Sequence, residues 1–274
     1  MLELKDLDPL VDIVKLTILT AYLKDEKPNS LIVIAKPESG KTEVMKRFRI
    51  NKNVAYLSDV TAFGIQRDYL SKIEAGEVRH IIIPDLLKPL SRKESTVNSF
   101  VTLMNSLIEE GFAAASTYAT SGLLSFQKPV RCGLITAITG DEFRDQRHNW
   151  EKKGFLSRTI PFSYSYGIGT INKIFASIIE LEYVKEHDVR LEIPKEDASI
   201  KLPKKFAQTI LPSTTAVAQA YKIYGFRLQK QFQALLQASA LERKRRTVNN
   251  SDVQRILRLM QWVNFNEKPI TGGS

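Results

Sequence analysis

The run Ala35-Lys36-Pro37-Glu38-Ser39-Gly40-Lys41-Thr42 has the residue types and the spacing to hold a polyphosphate. A loop between a strand and a helix N-terminus turns successive backbone N–H groups toward phosphate oxygens, and the helix dipole adds favourable charge there. Lys36, Pro37, Glu38, Ser39 and Gly40 would form the cradle. At its end Lys41 would reach the β- and γ-phosphates, and the Thr42 hydroxyl would ligate magnesium. The ligand expected is ATP with Mg2+. Ala35 stands where such a loop ordinarily has its first glycine, and a β-carbon fits there only if the turn needs no positive φ.

A second chemical position is Asp85, which follows the apolar run Ile81-Ile82-Ile83-Pro84. At a strand end it could hold magnesium through water beside Thr42; an aspartate there can also simply cap a turn. The two segments match the Walker A and Walker B patterns of nucleotide-binding proteins. One departure matters for turnover. Many such ATPases carry a glutamate directly after the aspartate to polarise the attacking water, and here that residue is Leu86. Either another acid such as Glu94 serves as base, or hydrolysis is slow, which suits a switch better than a motor.

Positioning these residues requires a particular order of elements. Apolar residues at helical spacing over 8–24 predict a packing helix, broken by Lys27-Pro28-Asn29-Ser30. Leu31–Ile34 then reads as a fully buried strand, followed by the loop and a helical run over 43–48. Further strands fit 54–57, 81–85, 134–139 and 160–164, with helices over 65–75 and 95–111. Residues 113–126, small and alternating with a Ser121-Gly122 turn, predict a β-hairpin. From about residue 204 the pattern is helical without strands, and Asn250-Ser251-Asp252 supplies capping chemistry for the last helix. Buried strands alternating with helices predict an α/β fold, a three-layer P-loop domain with a mostly parallel central sheet. A small all-α lid would follow it. The expected division is an N-terminal helix over 1–25, the ATPase domain over 26–185, a linker over 186–203, the lid over 204–266 and a flexible tail over 267–274.

With two nucleotide motifs, a later polar strand end and a helical region beyond, the chain resembles the AAA+ ATPases. Gly154-Phe155-Leu156-Ser157-Arg158 is similar to the arginine-finger segment of the minichromosome-maintenance helicases. The stretch from Ala234 to Leu241, followed by basic residues and Asp252-Val253, resembles the lid of that group. The resemblance implies that Thr139 senses the γ-phosphate and that Arg227 or Lys230 reaches back to the nucleotide from the lid. It also implies that Arg158 acts on the site of a neighbouring subunit in a ring or filament, so that hydrolysis depends on assembly. The plainer alternatives are that Thr139 satisfies a strand terminus and Arg158 makes a surface salt bridge. In the helicase-like branch a hairpin in the place of 113–126 points into a pore and touches DNA; this one, nearly uncharged, could equally pack on a neighbouring subunit.

The totals fit that picture. The chain of 274 residues has 43% hydrophobic and 26% charged residues, enough for a sizeable core and a second, smaller domain. Its formal net charge of +10 favours an acidic partner, and a DNA partner is expected. The densest basic cluster, Arg243 to Arg246, has a plainer role in complementing a helix C-terminus. No apolar stretch reaches membrane-spanning length, no signal peptide is evident, and the single cysteine, Cys132, suits a reducing cytoplasm. The first reading is an oligomeric, DNA-associated ATPase. The second is an ATP-gated scaffold or loader with weak hydrolysis that acts on protein partners. A small-molecule kinase is disfavoured because no acceptor pocket is evident.

Overall fold

The strand Leu31–Ala35 (β1) is apolar at every position because both of its faces are covered. In the structure, a computed structural model that describes residues 6–117, 122–181 and 187–270, β1 lies inside a six-stranded sheet. The other members are Val54–Tyr56 (β2), His80–Ile83 (β3), Gly133–Ile138 (β6), Ile160–Tyr166 (β7) and Lys268–Ile270 (β8). Their order is β2-β3-β6-β1-β7-β8 and every pairing is parallel. Parallel strands share one C-terminal edge, so the residues that follow β1, β3 and β6 come to the same rim.

Alternate side chains divide the interior in two. Leu31, Val33, Ile82, Ile135 and Phe162 face the helices Asp8–Leu19 (α1), Lys41–Lys46 (α2), Phe226–Glu242 (α10) and Asn250–Leu259 (α11). Ile32, Ile34, Ile81, Ile83 and Ile138 face the other side, packing with Ile65 of Ala62–Asp68 (α3), Ile73 of Leu70–Glu74 (α4), Leu86 before Leu87–Leu90 (α5), Phe100 of Glu94–Asn105 (α6) and Phe143 of Gly140–Lys152 (α7). The fold is therefore α/β, with helices on both faces and a helical C-terminal region that includes Lys204–Ala220 (α9). That region shares its core with α1 and the sheet. An ionic network reinforces the join: Arg255 of α11 donates to Asp12 of α1 and Glu242 of α10.

The expected hairpin is present as the antiparallel pair Phe112–Thr117 (β4) and Gly122–Val130 (β5), while its tip, including Tyr118, lies outside the described residues. Two expectations need correction, and one element was not expected. Residues 268–270, read as a flexible tail, form the edge strand β8 because buried Ile270 and the Trp262 indole, which donates to Pro269 O, fix them to the sheet. The described part of the 186–203 linker is a strap rather than a free connection: Val189 N donates to Arg47 O and Ala198 N to Tyr22 O. Finally, Ile168–Ile179 forms a helix (α8) that the sequence reading lacked, with Ile168 and Ile179 facing outward at 75% and 79% exposure.

Candidate functional site

The loop from Lys36 to Gly40 leaves the C-terminal end of β1 and enters α2 at Lys41. Ala35 is the last residue of the strand and carries no positive φ, so its β-carbon costs nothing. Left-handed backbone falls instead at Glu38 (φ 61) and Gly40 (φ 80), on either side of Ser39. Such alternation turns neighbouring N–H groups to one side and makes a concavity suited to an anion. At Glu38 the conformation costs about 1–2 kcal/mol, since it is not glycine. Helix α2 is only six residues long, so its dipole adds little.

Lys41 is 9% exposed, and its Nζ donates to Lys36 O at 2.9 Å. Among the described residues it makes no ion pair. Burial lowers the pKa of its ammonium, while Asp85, Glu142 and Glu267 raise it through their charge. A buried cation held by a carbonyl and surrounded at longer range by carboxylates is poised to receive an anion or a metal–anion pair. Thr42, one residue on, is exposed.

Asp85 comes two residues after β3, half-buried, and its carboxylate accepts from Leu87 N at 2.9 Å. It thus does the turn-capping that an aspartate in this place can do, and its charge also reaches Lys41. Leu86 is 1% exposed within the helix-covered core. That position faces inward, so it does not face the rim where water would be activated. Glu94 begins α6 in solvent; neither it nor Lys41, Thr42 or Asp85 is among the residues lining the cleft described next. Thr139 is the N-cap of α7: its Oγ1 accepts from Glu142 N at 3.3 Å and donates to Glu142 Oε2 at 2.8 Å. It lines, with Lys36, Pro37, Arg144 and Glu267, a cleft of about 470 Å³ at the rim.

Four residues near this loop escaped the sequence reading. Glu142 was legible as the acid of a Thr-x-x-Glu capping box. Glu267 was not, because it arrives from the chain end when Phe265 stacks on Phe143 with ring centroids 5.2 Å apart. A β-carbon at Gly140 would meet Glu267 Oε1 at 3.0 Å, which places that carboxylate against the start of α7. Tyr164 and Tyr166 of β7 donate their hydroxyls to Ser39 O at 2.8 Å and 2.7 Å. Their alternation on a strand was visible; their target was not.

The remaining candidates gather elsewhere. Arg158 precedes β7, at the N-terminal edge of the sheet, where Leu31 pairs with Ile160. Five strand residues at about 3.3 Å each separate the two edges by roughly 16 Å. Arg158 does make a salt bridge, to Glu110, and donates to Gly154 O at 2.7 Å, with its side chain 13% exposed. Arg227 and Lys230, expected to reach back to the nucleotide, line the same cavity of about 220 Å³ as Arg158, together with Lys27 and Glu109. Arg227 Nη1 donates to Ser157 Oγ at 3.1 Å. Neither lies beside its own chain's loop, because α10 starts beside the turn Leu156–Arg158 and runs along α1.

Thr42 and Asp85 are hard oxygen donors of the kind magnesium takes one or two of, leaving water and phosphate to complete its shell. They fit that ion as sparse ligands; among the described residues no group of three or more His, Cys, Asp or Glu forms an all-protein metal site. No family model matches this chain, and no curated protein matches it.

Proposed function

We propose that this protein is an AAA+-like ATPase that binds ATP with Mg2+ in the loop from Lys36 to Thr42 and acts as an oligomer with DNA. The observation that carries the reading is the buried Lys41 ammonium beneath a loop with two left-handed residues, on the rim it shares with Asp85 and Thr139. Lys41 would hold the β- and γ-phosphates, while Thr42 and, through water, Asp85 would hold the magnesium that neutralises developing charge on the transferred phosphoryl group.

Arg158 bears on assembly although it pairs with Glu110 within the chain. It lies roughly 16 Å from its own loop by strand length, too far for an arginine side chain anchored at the opposite edge. A subunit that presented this edge to the next subunit's rim would bring Arg158, Arg227 and Lys230 to foreign phosphates. Such a head-to-tail interface closes into a ring or extends as a filament. The net charge of +10 supports the DNA partner.

A second reading keeps ATP binding but makes the protein a scaffold or loader for protein partners with weak hydrolysis. The buried Leu86 favours it, since no acid follows Asp85 directly. ATP hydrolysis measured against protein concentration, with and without DNA, separates the two. A steep rise with concentration, stimulation by DNA and loss in both Lys41→Ala and Arg158→Ala support the DNA-dependent oligomer. ATP binding with negligible turnover in every condition selects the scaffold, and absence of ATP binding rejects both.

A further inference from the structure

Two phenol hydroxyls from one strand converge on a single carbonyl of the loop. Tyr164 and Tyr166 stand two residues apart on β7, so their side chains leave the same face of the sheet. Both donate to Ser39 O, at 2.8 Å and 2.7 Å. A carbonyl oxygen has two lone pairs, and here both are taken from the β7 side. The Ser39–Gly40 peptide is trans, and in a planar trans peptide the C=O and N–H point in opposite directions. Gripped by its oxygen, this peptide turns the Gly40 N–H away from the two tyrosine hydroxyls. Something must hold it so, because glycine at 40 gives the peptide freedom that another residue would remove. Burial raises the pKa of both phenols, Tyr166 to about 12, so both keep the proton they donate.

We propose that Tyr164 and Tyr166 are positioning residues that aim the Gly40 amide at a bound phosphate and so set the affinity of the loop for the polyphosphate part of its ligand. This rests on reading the loop as a triphosphate site. The role is one of orientation: neither hydroxyl touches the ligand, and each acts through the Ser39 carbonyl.

Calorimetric titration of the full chain with Mg·ATP and with inorganic triphosphate tests it, using Tyr164→Phe, Tyr166→Phe, the double variant and Lys41→Ala. Amide NMR of glycine-labelled protein follows Gly40 directly. Each single variant is expected to bind both ligands about threefold more weakly and the double about tenfold, as loss of modest hydrogen bonds implies. The Gly40 N–H resonance should shift on triphosphate binding in the parent and shift less in the double variant. A merely structural role would leave that shift intact in whatever fraction is folded. A folded double variant with parental affinity and a parental Gly40 shift overturns the proposal. If the double variant does not fold, Tyr166→Phe decides on the same two readings, its ring being only half-buried. A parent that binds no triphosphate, or a Lys41→Ala variant that binds it as well, overturns the loop reading and this inference together. Loss in Lys41→Ala with no effect of either tyrosine overturns this inference alone.

Discussion

Individual side chains in this protein are set by what they must satisfy when buried. His80 begins β3 fully buried, its Nε2 3.1 Å from Asn29 O, and burial lowers its pKa to about 4. An unfolded chain binds a proton on this ring below about pH 6.5, while the folded chain resists until about pH 4. The unfolded state therefore holds more protons between those values, and stability falls as pH falls through that window. The full effect is roughly 3 kcal/mol, an upper bound set by the depression of the pKa. Urea unfolding at pH 7.5, 5.5 and 4.5 should show this decline, and His80→Gln should flatten it above pH 4.5. Glu109, Glu242 and Asp252 also contribute, but lower. Burial alone would raise all three, yet their cationic and hydrogen-bond partners hold them below the usual carboxylate range. Their stabilisation is present above their unfolded values and lost only at more acidic pH.

At the scale of elements, the two roles open for Thr139 become separable. As the N-cap of α7 it satisfies an orphan N–H, and Thr139→Ala should destabilise the fold by about 1 kcal/mol. Thr139→Ser keeps the hydroxyl and should be nearly neutral. If capping is the only role, ATP turnover per folded molecule is unchanged in Thr139→Ala. A fall of tenfold or more at saturating ATP, with Thr139→Ser active, assigns it a part in the reaction as well. The same element logic explains why the basic cluster near the end of α10 is a poor pointer to DNA. Arg245 pairs with fully buried Asp252, Lys244 with Glu192, and Arg243 donates to Ser251. Arg243 and Arg245 thus hold α10 against α11, and Lys244 ties its end to the strap.

At the scale of the whole molecule, the proposed head-to-tail assembly is open to a complementation test. Loop and Arg158 occupy opposite edges of one sheet, so under the proposed function a working site would take Lys41 from one chain and Arg158 from the next. Mixing Lys41→Ala with Arg158→Ala, each inactive alone, should therefore restore activity toward about a quarter of the parental value if subunits assemble at random head to tail. Recovery in the mixture would be read from steady-state ATP hydrolysis at a concentration where the parent is saturated. A mixture as inactive as its components would remove Arg158 from the site of a neighbouring subunit. No helix among the described residues is long and apolar enough to cross a membrane.

Most of the elements were legible in the sequence, α8 and β8 excepted, and the residue types of the loop pointed to phosphate chemistry. Short apolar runs such as Leu31–Ile34 and Ile81–Ile83 read as strands covered on both faces, and a lysine and threonine after a glycine at the end of such a strand already suggest phosphate. The sequence also made Asp85 and Thr139 strand-end residues, which a parallel sheet must bring to one rim. Tertiary structure decided the rest, because those positions depend on contacts distant in sequence. Strand order, which sets β6 between β3 and β1, came from packing rather than local pattern. The burial of Leu86, the approach of Glu267 from the chain end and the two tyrosine hydroxyls on Ser39 O have no local signature at all. Arg227 and Lys230 show the same limit most plainly: their spacing on α10 was readable, but only the packing of α10 against α1 placed them beside Arg158 instead of beside Lys41.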